Sequence, residues 1–133
     1  MTMDFKRMFK KENNNYNKIY LYLDTEKKLY SAYEFSAYML TRMFDTQKLS
    51  EEVRQDMNTI LYVVRLTPPF VVEQFSGNNI TVGDRFIKVV LDDPSRCIQW
   101  KAEFSELKKQ RQMDHCVSSK NLLDKKIDYE EGF

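Results

Sequence analysis

The stretch KIYLYLD, residues 18–24, sets Ile19, Leu21 and Leu23 against Tyr20 and Tyr22 in strict alternation. A period of two sends successive side chains to opposite sides of an extended backbone and gives a helix no apolar stripe. The segment therefore reads as a β-strand, and any fold of this chain must contain a sheet. After the polar turn DTEKK the period changes. In SAYEFSAYMLTRMF, Ser31 and Glu34 have the spacing of a capping box, in which the two side chains satisfy the first free amides of a helix. A helix is predicted from Ala32 to Phe44, with Phe35, Met39 and Met43 as its core stripe and Tyr38 widening it.

A second helix is predicted after Ser50, whose hydroxyl would cap it. Glu51 and Glu52 lie in the first turn, where the helix dipole favours acids. Val53, Met57, Ile60, Leu61 and Val64 mark its apolar face, and Pro68 and Pro69 end it. FVVEQF then reads as a strand, SGNN as a turn, and the following β-branched residues as the return of a hairpin. A last helix opens at Asp93 and Pro94 and carries Cys97, Trp100, Phe104 and Leu107 before its stripe fades into KKQRQMDH. Together these elements predict an α+β fold: a small single domain with a β-hairpin or short antiparallel sheet packed against about three helices, with extended N- and C-terminal segments. Residues 1–17 read as a basic amphipathic segment and polar linker, 18–115 as the globular domain, and 116–133 as an acidic-aromatic tail.

The length of 133 residues, with 42% hydrophobic and 31% charged, suits one ordinary domain. No apolar run approaches the roughly 20 residues that span a bilayer, so no membrane insertion is expected. MTMDFKRMFKK lacks the apolar block and cleavage site of a secretory signal. A cytoplasmic location is expected, in a host cytoplasm or a virion if a phage encodes the chain, with reduced cysteines. Cys97, Cys116 and His115 are too few to form a zinc site, and no Gly-rich phosphate loop is present, so neither a metal nor a cofactor is expected. A net charge of +1 creates no global field for nucleic acid, so nucleic acid is not an expected partner, and any such contact would have to be local. Lys101, Lys108, Lys109 and Arg111 on the last helix are a candidate for that contact; their plain reading is a solvated face. Heavy use of Phe, Tyr, Met, Ile, Asn and Lys, with three Gly, three Pro and three Ala, points to an AT-rich genome of a bacterium, phage or mobile element.

NNITVGDRFIKVVL, residues 78–91, admits two structures. Gly83 could release the chain into a helix whose amides, with Arg85, hold phosphate, or Gly83 and Asp84 could turn the chain back into a second strand. Aromatic and branched residues from Phe86 onward favour the strand. Across residues 49–91 the sequence resembles the ParB-like superfamily, including the amino-terminal domains of GmrSD-type restriction proteins. There a helix, a proline-marked apolar strand, a short turn and a second strand deliver a Gly-Glu-Arg-Arg or Asp-Gly-Gln-Gln-Arg element. The resemblance implies a nucleotide- or nucleic-acid-binding domain in which Gly83, Asp84 and Arg85 contact the phosphate. Phe86 stands at the place of that element's second Arg.

The leading expectation is of a different class: a non-enzymatic interaction, structural or accessory component of a phage virion or mobile element, working through protein contacts. Residues 1–11 hold four basic residues and one acidic, and the tail from Asp124 holds four acidic and two basic. Opposite charge at the two ends suits docking on a protein partner or on a second copy of the chain. Phe5, Met8, Phe9, Tyr129 and Phe133 would supply the apolar contacts.

Overall fold

A hairpin that runs directly into a helix occurs three times along this chain. The computed structural model describes residues 4–55, 58–75, 77 and 79–127, with side chains as far as Arg111. After α1 (Phe5–Asn13) come β1 (Lys18–Asp24), β2 (Leu29–Tyr33) and α2 (Glu34–Met43). The second hairpin is β3 (Ser50–Arg54) and β4 (Thr59–Leu66), leading to α3 (Pro68–Gln74); the third is β5 (Ile80–Val82) and β6 (Phe86–Val90), leading to α4 (Pro94–Ile127). The six strands form one antiparallel sheet in the order β3-β4-β2-β1-β6-β5. The expected α+β class is therefore the one observed, with a larger sheet and one more helix than the sequence suggested. The chain divides into two units, Met1–Lys101 and Ala102–Phe133. The first holds the sheet, α1 to α3 and the opening turns of α4, and the described part of the second is the remainder of α4.

The register explains the alternation in β1. Tyr22 lies opposite Ser31 on one side and Phe86 on the other, Tyr20 opposite Lys88, and Tyr33 opposite Val63. Residues directly opposite in a sheet share a face, so Tyr20, Tyr22, Phe86, Tyr33, Leu61 and Val63 line one side. That side receives α1: Met8 packs into a cluster with Tyr33, Leu61 and Val63, flanked by Phe5, Phe9 and Tyr22. The Phe5 ring meets Tyr33 edge-on, with centroids 5.7 Å apart. The opposite side carries Ile19, Leu21, Ala32, Val64 and Leu66, all buried. α2 packs along β1, β2 and β4 and buries Phe35, Ala37, Met39 and Leu40.

Three sequence expectations are corrected. Residues 50–64 form the β3–β4 hairpin and not a helix. Ile60 to Val64 is a continuous apolar run whose spacing fits a helix stripe, yet β4 is buried on both faces and pairs with β2 and β3, where such runs belong. FVVEQF is not a strand but most of α3, because Pro68 and Pro69 sit in the first turn of the helix and Thr67 accepts the Phe70 amide. Ser31 and Glu34 form no capping box: Ser31 lies within β2, and α2 starts after Tyr33 without a side-chain cap. The start of α4 follows the sequence, with the Arg96 amide donating to Asp93 Oδ1 at 3.1 Å.

Leu61 is fully buried beneath α1. Leu61→Ala is expected to lower unfolding free energy by about 2–5 kcal/mol in urea titrations, whereas Val72→Thr, on the exposed side of α3, should change it by less than about 0.5 kcal/mol.

Candidate functional site

The start of α2 poses the problem that organises the first unit. A helix begins with amides that have no partner within it, and the residue preceding this one, Tyr33, offers no acceptor. The acceptor comes from α1. The Ser36 amide donates to Glu12 Oε1 at 2.9 Å, and the Ser36 hydroxyl donates to Glu12 Oε2 at 2.6 Å. The same hydroxyl accepts the Tyr20 amide at 3.0 Å, an edge of β1 that β2 no longer covers. Asn15 Nδ2 reaches Glu12 Oε1 at 3.3 Å and the Lys18 carbonyl at 2.6 Å, fixing the bend from α1 into β1. From α4, Lys101 Nζ donates to the carbonyls of Glu12, Asn13 and Asn15, a cation at the C-terminal end of a helix where the dipole favours it.

Glu34, next to this clasp, opens α2 at φ 55°, a conformation that costs a residue other than glycine about 1–3 kcal/mol. Its carboxylate compensates by accepting the Tyr62 amide at 3.0 Å, a β4 donor left where β2 turns away. Burial raises the Glu12 carboxyl to about 7; its bonds from Ser36 and Asn15 pull the other way, and nearby Glu34 adds to the rise. Glu12 is 2% exposed and Ser36 0%, so no substrate reaches the pair. The arrangement joins α1 to α2.

Above β1 and β6 the surface is different. Tyr20 stacks on Phe86, centroids 5.8 Å apart and planes 26° apart, and Tyr22 lies 5.6 Å from the same ring. Lys11 Nζ sits 4.7 Å from the Tyr20 centroid and 5.1 Å from that of Phe86. Burial, followed by the charge of Glu12, pushes both phenols upward, so the rings stay neutral. A cleft of about 340 Å³ elsewhere in this unit is lined by Met43, Phe44, Phe75, Ile80 and Val89, with an Asn79–Asp92 bond of 2.9 Å.

Gly83, Asp84 and Arg85 form the exposed bend between β5 and β6. The Gly83 amide donates to the Phe86 carbonyl at 2.7 Å, and the Arg85 carbonyl accepts the Leu23 amide at 3.0 Å. No helix begins at Asp84, and the strand expected from Phe86 is present. A Cβ at Gly83 would meet Phe86 only at ordinary contact distances, so the bend does not require glycine. The run from 49 to 91 is ordered hairpin, helix, hairpin, which differs from the helix, strand, turn, strand order of the ParB-like resemblance.

Met8 is buried, and Phe5 and Phe9 are partly buried against the sheet, while Tyr129 and Phe133 lie outside the described residues. Lys101 is engaged on α1, Lys108 lies 5.3 Å from the Phe104 ring, and Lys109 and Arg111 are exposed. Cys97 is a buried thiol, and the side chains of His115 and Cys116 lie outside the described residues. Among the described residues no group of His, Cys, Asp and Glu could hold a metal ion, and no helix is long and apolar enough to cross a membrane. Glu12 and Ser36 escaped sequence reasoning, because a Glu before an Asn run and a Ser inside a helix carry no local signal. Comparison with protein-family models, curated proteins and solved structures finds no match.

The raised Glu12 carboxyl fixes a sign. The folded chain holds this proton where the unfolded chain, with its carboxyl at 4.5, has lost it. Its contribution to stability is full below pH 4.5 and is lost as pH rises to about 7, a change of roughly 3 kcal/mol. Glu12→Gln, which keeps the bonds of the protonated form, is expected to flatten this slope in urea unfolding at pH 5 and pH 8.

Proposed function

We propose that this chain is a non-enzymatic protein-interaction component, an accessory or structural part of a phage virion or mobile element, that docks on a protein partner or a second copy through its ends. One observation supports this most: the described part of the second unit is a single stretch of helix. Between Ala102 and Arg111 only Phe104 is buried, and a helix with so little apolar surface covered is marginal in water, so its length is best stabilised against another surface. Ala102, Ser105, Glu106, Lys109, Gln110 and Arg111 are exposed along it, and the acidic-aromatic residues 128–133 follow. The basic side chains of α1, Lys6, Arg7, Lys10 and Lys11, are exposed as well and offer the complementary charge.

Removing residues 116–133 is expected to leave the melting of the sheet-bearing unit within a few degrees of the full chain while abolishing assembly in sedimentation velocity. Assembly of the full chain should weaken between 50 and 500 mM salt, by roughly tenfold if two or three exposed ion pairs guide it. An unchanged sedimentation profile and unchanged partner capture after the deletion would remove the basis for this reading.

A further inference from the structure

We propose that the face of β1 and β6, with Lys11 of α1 above it, binds single-stranded nucleic acid without strong sequence preference. The register places Lys88 directly opposite Tyr20, and Lys18 lies two residues along the same face of β1. Lys11 makes the third cation around the Tyr20–Phe86 stack. Among the described residues none of these three lysines enters an ion pair. The carboxylates closest along the same elements are engaged: Asp24 accepts the amides of Glu26 and Lys27 in its own turn, and Glu12 is buried on Ser36. Lys6, Arg7 and Lys10 continue the positive charge along the solvent side of α1.

A whole-chain charge of +1 gives no long-range field, so recognition would rest on this local cluster. Three cations around two stacked, partly exposed rings match a strand that presents both phosphates and unstacked bases. Bases stack on aromatic side chains with little regard to sequence, and a duplex keeps its bases out of reach. A cation held over the rings by their quadrupoles can turn to a phosphate while a base takes the ring face.

The test is fluorescence anisotropy of the full chain with short oligo-dT and oligo-U, a duplex of the same length, poly-glutamate, and vesicles containing phosphatidylserine. Single strands are expected to bind tighter than all the others, with a log-log salt slope near about −2 for three phosphate contacts. The double substitution Lys11→Gln and Lys88→Gln should weaken binding about tenfold or more and make the slope shallower. Tyr20→Leu, which keeps the bulk on the sheet, should erase the preference for single strands and preserve the salt slope. The proposal is overturned if single strands do not bind, if poly-glutamate, vesicles or duplex bind as tightly, or if the folded lysine double variant retains wild-type affinity.

Discussion

One buried carboxyl group determines how this chain closes. β2 ends by turning sharply into α2, and the turn leaves a helix start with no cap and a strand edge with no neighbour. Glu12 and Ser36 resolve both, since the carboxyl takes the amide and hydroxyl of Ser36 and the hydroxyl takes the Tyr20 amide. α1 must therefore fold back onto the sheet for α2 to begin where it does. Lys101 then binds the carbonyl end of α1 and ties the opening of α4 to the same point. Three helices and the central strand meet there, and loss of any member would leave buried donors or acceptors without partners.

The position of α1 gives the sheet two unlike faces. Under α2 the side chains are aliphatic and close-packed, as in an ordinary core. Under α1 they are largely aromatic, with cations of α1 and β3 seated on rings: Lys11 over Tyr20, and Arg54 at 4.0 Å from the Phe5 centroid. A short amphipathic helix covers only part of such a sheet, so the half over β1 and β6 stays partly open. The contrast between the two faces was already present in KIYLYLD, whose aliphatic residues take one side and tyrosines the other.

Three features of the fold are legible from local pattern alone. The alternation in β1, the strand from Phe86 and the Asp93-Pro94 helix start each depend on neighbours within a few residues. Residues 50–64 misled because the doubly buried β4 carries a continuous apolar run, and a continuous run satisfies helix spacing as readily as strand spacing. FVVEQF misled through its branched residues, although the paired prolines were the stronger local signal for a helix start. The clasp was invisible for another reason: Glu12 finds Ser36 24 residues away, and its carbonyl finds Lys101 89 residues away. The 83–85 bend takes the shape its neighbouring residues indicate, because a bend is a local object.

The strand order also limits how copies of this chain can meet. Its two outermost strands are β3 and β5, and exposed strand edges invite pairing with another chain. β5 is only three residues long, which offers a visitor almost no ladder to extend. β3 is longer but carries Glu51, Glu52 and Arg54 among its five residues, and Glu52 is held by Arg65 at 2.9 Å. Charge on one border and brevity on the other discourage continuous cross-chain sheet growth, so the fold is protected at its margins against fibrous aggregation even where Val53 and Val82 are exposed.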